Sequence, residues 1–566
     1  MFAGLKRLFV YKKFKKYHKI LVVGGYGYKN TGDEAQLNAN LKMLKKEFPD
    51  YLIKVLTPNQ RYTYLEHEQC LVGEAPRVAF FNQGESQLYK LDTPFKRIKF
   101  LIIGFLLYIN AYLIRAGLST FLLTAKRAAL LYEMFSSDGV FFSGGGYLTE
   151  KTLSRLWDGI FLIRIADVFK VPVFLSGQTI GVWSGKFTKI FAKWGLSKAK
   201  IITTRDPEDS LLELRKIGIE GKHIFSTFDD ATFCEKLKDD KQIRRILINV
   251  GLSENDLSSG FFVMNFHYWS LNTQEDRRLI LFKINSIISW IRSTYKQKIL
   301  FIPMVPQDEI AMQNYLEEYT QNDIYFLKYD YSFKTIKSII GNSMACVTMK
   351  HHPIIFALGE EVPVISLALG KYYKHKNCGA LKIFGLEKYN VLMEKENYLQ
   401  QFQILFDELI KNQAIIKKQI HNVLENLSYK KAHFIDLIKK SVDNREHGWC
   451  IVKVKKDRNY ILYGTGRASE IVTDFIRKKG GSILYYIDSN PDKWGSEFMG
   501  KKVCCLEEIF QIKPDDSQIV IASSFTCEIL SNLKKHGLKK GREIIVPTYK
   551  LLNILYRNQN GAARPT

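Results

Sequence analysis

The sequence has no C-x-x-C pair. Its eight cysteines are scattered through 566 residues, and only Cys504 and Cys505 are neighbours. That spacing excludes a thiolate metal cage and a disulfide framework, and it suits a reducing compartment. No other metal-ligand spacing is present, so metal-independent chemistry is expected. Nucleic-acid signatures are missing as well: there is no zinc-finger spacing, RNP-like segment or basic zipper. The N-terminus lacks the small-residue cleavage site of a secretory signal. In the most apolar part of the chain, Lys99 to Thr124, the longest charge-free run, Phe100 to Ile114, is about 15 residues, short of the ~20 that span a bilayer. Asn110 and Arg115 interrupt that stretch further. A helix packed in or on the protein, dipping into a membrane interface, is the expectation for Lys99 to Thr124. Acidic residues are in deficit, 57 against 83 Lys and Arg, for a formal charge of +26. Such a balance suits an anionic partner, although charge by itself names no function.

What is present is a globular chain. Apolar residues make up 46% of it, ample for packed cores, and the length implies about three compact units. Residues 1–17 read as a basic leader in which Leu, Phe and Tyr alternate with Lys and Arg, a composition that suits an anionic membrane surface. Residues 18–240 and 241–440 each read as a series of strand, loop and helix, which implies parallel sheets. Residues 441–458 form a charged linker, 459–556 a smaller unit of the same kind, and 557–566 a polar tail. Within the first series, strands are expected at Lys19–Val23, Tyr51–Leu56 and Arg77–Phe81. Further strands are expected near Val140, Val171 and Ile201. The charged stretch from Phe228 to Arg245 reads as a connector.

The chemistry-bearing residues collect at strand ends. Lys350, His351 and His352 sit where an apolar strand turns into a helix, at the sheet edge where ligands bind in open α/β folds. A helix N-terminus there favours an anion, Lys350 adds positive charge, and His352 can carry a proton near neutral pH. Gly24–Glu34 is a glycine loop running into a helix whose first turn holds Asp33 and Glu34. Carboxylates there favour the helix dipole but repel phosphate, so they suit sugar hydroxyls or a general-base role. Gly144, Gly145 and Gly146 end another strand, Gln178 follows the next, and Arg205 ends a third. Arg205 suits a carboxylate or phosphate. His267 ends the first strand of the second series and is placed to face the same cleft. Lys374, His375 and Lys376 are expected in a basic loop.

Taken in order, these segments resemble the polysaccharide pyruvyl transferase family. The segments are Gly27–Glu34, Gly144–Leu148, Gly177–Gly181, Arg205–Ser210 and Lys350–Ile365, and the likeness covers about residues 18 to 400. The resemblance implies a GT-B-like pair of Rossmann-like halves. It implies phosphoenolpyruvate as donor and co-substrate, with no other cofactor, and a sugar of a cell-surface glycan, free or lipid-linked, as acceptor. It places Arg205, Lys350 and His352 in the donor site. One departure stands out: many members have Arg where this chain has Lys350, and Lys cannot make the bidentate fork of Arg. That leaves the donor open.

The chemistry asks for cations around the donor, met by Arg205 and Lys350 with Lys374 or Lys376. It asks for a general acid, His352 first and His351 second, and for a general base, Asp33, Glu34 or the neutral histidine. The rival enzyme is a GT-B glycosyltransferase using a nucleotide sugar, and the non-enzyme alternative is a scaffold binding glycan or membrane. In the last unit, Gly464 and Gly466 form a glycine turn, and Asp488 follows at a spacing that suits a ribose contact. A nucleotide or nucleotide sugar is its expected ligand. The expected location is the cytoplasm, at the inner face of the plasma membrane.

Overall fold

The computed structural model describes residues 18–443 and 456–522 apart from 68–69, 82–90, 116–119, 268–272, 320–322, 479 and 513–516, and beyond them residues 529, 532–533, 536 and 544–545. The basic leader, most of the linker and the tail therefore lie outside the described residues.

Three sheets follow one another along the chain. The first contains β1 (His18–Val23), β2 (Tyr51–Thr57), β3 (Leu71–Glu74), β4 (Gly139–Phe142), β5 (Gly145–Leu148), β6 (Val173–Ile180), β7 (Ile201–Thr204) and β8 (Ile224–Ser226). Their order is β3-β2-β1-β4-β6-β7-β8, with β5 added beside β6. The second contains β9 (Phe261–Asn265), β10 (Lys298–Phe301), β11 (Ile324–Phe326), β12 (Ala345–Thr348), β13 (Val364–Ala368) and β14 (Asn390–Leu392), in the order β11-β10-β9-β12-β13-β14. Every pairing in these two sheets is parallel. The third contains β15 (Asn459–Tyr463), β16 (Ser482–Ile487), β17 (Glu497–Phe498), β18 (Lys501–Cys504), β19 (Gln518–Ile521) and β20 (Ile544–Ile545), with β17 as an antiparallel edge.

In each sheet the strand order reverses beside the first strand, which is the Rossmann-like switch point where two loops diverge and leave a crevice. Strands such as β1, β4, β9 and β12 are almost wholly buried and carry consecutive apolar residues, Ile20–Val23 in β1 and Phe261–Met264 in β9, as strands covered on both faces do. The fold is α/β: a GT-B-like pair of Rossmann-like halves and a smaller Rossmann-like unit.

The helices used below are α1 (Thr31–Glu47), α2 (Pro94–Arg115), α3 (Leu153–Val168), α4 (Lys186–Leu196), α5 (Pro306–Glu318), α6 (His351–Gly359), α7 (Gly370–Lys382) and α8 (Gln413–Asp443). The two halves touch at their carboxyl edges. The Thr31 amide donates to the Met304 carbonyl at 3.1 Å, and the Tyr329 hydroxyl donates to the Lys29 carbonyl. From the second half α8 returns to the first, where Phe434, Ile438 and Val442 join the core beneath β1 and β4.

Three local expectations are corrected. Residues 77–81 belong to a helix, Pro76–Phe81, and the third strand is the earlier Leu71–Glu74. Pro76 opens that helix, as proline does at a first turn, and caps the apolar run that imitates a strand. The basic residues Lys374, His375 and Lys376 lie in α7 rather than in a loop. The segment 228–245 is no mere connector: a 3-10 turn, Asp230–Phe233, and a helix, Asp240–Val250, occupy it, and its first acidic pair stands inside the cleft.

Candidate functional site

The cleft is built on the carboxyl ends of β1, β4, β6, β7 and β8 from the first half and of β9 and β12 from the second. Asn30 caps α1 by accepting from the Gly32 and Asp33 amides. This cap fixes the first turn of α1 against α6. A Cβ on Gly32 would overlap the imidazole ring of His352, so glycine is what lets the two helix starts meet.

Two aspartates after β8 organise the first-half wall. Asp229, fully buried, accepts from Gln36 Nε2 at 2.8 Å, Arg205 Nη1 at 3.2 Å and the Ala231 amide at 3.0 Å. His351 Nε2 lies 3.5 Å from the same carboxylate. Burial alone would raise this carboxyl. The contact with His351 and the charge of Arg205 outweigh burial and hold it well below the usual carboxylate range. Asp230, also buried, accepts from Asn40 Nδ2 at 2.8 Å, the Gly144 amide at 3.2 Å and Ser176 Oγ at 2.9 Å, and pairs with Lys431 of α8. Gln36 and Asn40 share a helix face with Asp33, at steps of three and four.

Arg205 is 4% exposed, and its Nη2 is buried with no protein partner. Its Nε donates to Thr179 Oγ1 and its Nη1 to Asp229, which aims the remaining nitrogen at the space beside Gly146. A Cβ on Gly146 would come within 2.9 Å of it. His352 Nε2 is likewise buried without a partner. Burial is the main reason its imidazole falls to about 3; Asp229 opposes the shift, and the charges of Lys376, Arg205 and Lys350 add to it. His351 is pushed well below its ordinary value, first by burial and then by Lys376. Both histidines are therefore neutral at neutral pH.

Asp33 keeps some solvent contact and is raised to about 6. Burial drives that shift and Glu34 adds to it, while Arg155, Lys376 and Arg205 pull the other way. Glu34, expected beside it as an alternative base, is separated from it by the structure. Its two oxygens accept from the Gly27 amide at 2.8 Å and meet His67 Nε2 at 2.9 Å. Glu34 thus holds the glycine loop closed, and its carboxylate is committed within the protein.

Lys350 also has a prior commitment. Its Nζ donates to both oxygens of Asp308 in the first turn of α5, at 2.6 and 2.7 Å. Asp308 is fully buried and accepts from the Met304 amide as well. The ion pair fixes the turn after β10 to the turn after β12, so Lys350 enters the site with its charge balanced. His267 is fully buried at the neighbouring strand end, 5.0 Å from the Tyr373 ring, and is pushed down to about 3 by burial and by Lys350. The Gln178 amide donates to the Ser143 and Ser176 carbonyls at 2.7 and 2.9 Å, which pins the glycine turn 144–146. Lys374 is exposed on α7, whereas the charge of Lys376 acts on Asp33, His351, His352 and Lys350 together.

Sequence reasoning missed Asp229, Asp230, Gln36, Asn40 and Lys431. A signal for Gln36 and Asn40 was available, since polar residues interrupt α1 at helical spacing from Asp33. Lys431 carried no signal, because its partner lies 201 residues away. In the last unit, Asp488 accepts from the Thr465 amide at 3.2 Å, from Thr465 Oγ1 and from Lys493 Nζ at 3.2 Å. Gly464 takes φ +117° where a Cβ would press on the Ala522 carbonyl, while a Cβ on Gly466 would meet open space. Among the described residues no group of three or more His, Cys, Asp or Glu could hold a metal ion.

Comparison with known proteins gives two family matches. The polysaccharide pyruvyl transferase family matches residues 30–371, and a family described as C2185-like, N-terminal, matches residues 456–545. No curated protein matches the chain. Among solved structures, the UDP-GlcNAc 2-epimerase of Neisseria meningitidis bound to UDP-GlcNAc is 15% identical, with 73% of this chain and 100% of that one covered at a TM-score of 0.44. A glycosyltransferase from Rickettsia africae ESF-5 is 12% identical, covering 75% and 100% at 0.45. The MurG of Acinetobacter baumannii is 11% identical, covering 75% and 99% at 0.41. The family match takes in the start of α1 with Asp33 and Glu34, the glycine turn 144–146, Arg205, the Asp229–Asp230 pair and the Lys350–His352 corner, and over those residues the chain belongs to the polysaccharide pyruvyl transferase family.

Proposed function

We propose that this transferase moves the enolpyruvyl group of phosphoenolpyruvate onto two hydroxyls of a sugar in a surface polysaccharide or its lipid-linked precursor, as a cyclic ketal. The observation that carries the reading is the pair of buried, unpartnered nitrogens, Arg205 Nη2 and His352 Nε2, facing one cleft. A planar anion with a nearby carbon to protonate would satisfy both.

In this reading Arg205 and Lys376 hold the carboxylate and phosphate of the donor. His352, neutral before the donor binds, gains a proton when the anion arrives, because a nearby negative charge favours the imidazolium. It then gives that proton to the methylene carbon, making the adjacent carbon electrophilic. One sugar hydroxyl attacks there as Asp33 takes its proton. The carbon–oxygen bond to phosphate breaks, and the second hydroxyl closes the ring. Of the two hydroxyl hydrogens, one balances the proton added to carbon and the other leaves with phosphate. The Asp229–Arg205 pair positions the guanidinium, and Lys350 positions the corner.

Calorimetric titration with phosphoenolpyruvate at pH 7.5 tests this without knowledge of the acceptor. Saturable binding with uptake of about one proton, read from buffers of different ionisation enthalpy, is expected for the wild type. His352→Asn should bind without that uptake, and Arg205→Lys should weaken binding by about tenfold or more. Failure to bind phosphoenolpyruvate, with a nucleotide sugar binding instead, would replace this reading with a glycosyltransferase.

A further inference from the structure

Helix α2 turns a second apolar face outward. Phe95, Ile98, Ile102, Phe105, Ile109 and Tyr112 recur at alternating steps of three and four, and each is exposed; Phe95 reaches 75% and Ile102 63%. The opposite side of the helix, with Phe100, Ile103 and Leu107, is spent on the core against α3. A surface helix normally has one apolar stripe, so the outer one calls for a partner.

The patch extends onto α4. Trp194 lies 6.0 Å from Phe105, ring to ring, and Phe187 and Ile190 continue its stripe; Ile190 is 70% exposed. Beside that stripe Lys186, Lys189 and Lys193 fall at the same spacing. Neither the stretch from Thr93 to Tyr132 nor that from Ser184 to Lys200 contains a single Asp or Glu. The face is thus aromatic and aliphatic with lysines beside it, and the carboxylates that approach its edge are already engaged: Asp92 with Lys96, Glu150 with Ser184 and Thr188, and Asp167 with Arg164. That composition matches an interfacial helix on an anionic bilayer. A second copy of the same face would bring together two faces that each carry an excess of lysine. Crossing the bilayer would strip α2 from its core. Helix α4 follows the carboxyl end of β6, the edge that presents Gln178, so the face reaches the rim of the cleft.

We propose that the α2–α4 face docks the protein, lying flat, on an anionic lipid surface and brings the cleft to a lipid-borne sugar. This docking stands apart from the donor chemistry and would survive its revision. Co-flotation of the full chain with vesicles tests it, using phosphatidylcholine alone or with about 30% phosphatidylglycerol. Wild type should float with the anionic vesicles and bind the neutral ones at least about tenfold more weakly, with the difference shrinking at high salt. Ile102→Glu/Ile109→Glu and, separately, Lys186→Glu/Lys189→Glu/Lys193→Glu should each lose at least about tenfold in affinity while melting like the wild type. All the substituted side chains are outside the core, so melting temperature distinguishes lost docking from lost folding. Absence of flotation would overturn the proposal. So would undiminished flotation of both variants, which would move docking elsewhere in the chain. A wild-type dimer dispersed by Ile102→Glu/Ile109→Glu, with no lipid binding, would assign the face to a second copy.

Discussion

Asp33 and Glu34 are neighbours in one helical turn with different work. Glu34 is locked between a backbone amide and His67, whereas Asp33 is left in the cleft with its carboxyl raised to about 6. A raised carboxyl means that the native state holds the proton more tightly than the unfolded chain does. Stability is therefore greatest at low pH and declines as pH rises from about 4 to about 6. At neutral pH the ionised group costs up to about 3 kcal/mol. Asp33→Asn should raise the melting temperature at pH 7 and leave it nearly unchanged at pH 4. The same substitution should lower turnover by about 10²- to 10⁴-fold and remove an acidic limb near pH 6 from the rate profile. A variant that is neither more stable nor slower would take Asp33 out of the mechanism. The sequence placed both carboxylates correctly at a helix start. It offered no way to tell them apart, because His67 and the returning Gly27 amide reach Glu34 only once the loop has folded.

At the scale of elements, the site is two helix N-termini brought nose to nose. The start of α1 carries Asp33 and the start of α6 carries His351 and His352, and Gly32 is the spacer between them. Gly32→Ala is favourable for an isolated helix, by about 0.5–1 kcal/mol. Here its methyl group must displace the His352 ring. The expected outcome is turnover reduced by about 100-fold, as for about 1 Å of misplacement, with little change in melting temperature. Unchanged turnover would mean that the ring is free to give way. Strand–glycine–helix units were legible because apolar runs and glycine turns are local signals. The helix at 76–81 was not, since a six-residue apolar segment has no length in which to show its period. The Asp229–Asp230 pair was hidden for another reason. Acidic residues in a charged stretch read as solvated, and only packing shows that these two are buried and multiply bonded.

At the scale of the whole molecule, α8 ties the second half back to the first. Its Lys431 reaches Asp230, which in turn fixes the Gly144 amide and Ser176. Lys431→Met should destabilise the protein by about 3–5 kcal/mol, since it leaves a buried carboxylate unpaired. Lys431→Met/Asp230→Asn should recover much of that loss, and chemical denaturation of the two variants would measure it. Equal stability of the single variant and the wild type would show that the tie carries no weight.

The sequence by itself determined the parallel α/β class, the place of the glycine turns at strand ends, and the family pattern that these spell out in order. Those features follow from backbone sterics and hydrophobic periodicity, which act over a few residues at a time. Only the tertiary structure decided which charges are spent and which are available. Lys350 and Glu34 are paired within the scaffold, and Arg205 keeps one nitrogen over. It also decided that α2, apolar on two sides, buries one and exposes the other. Desolvation and ion pairing depend on neighbours brought from distant parts of the chain, and no local pattern records who those neighbours are.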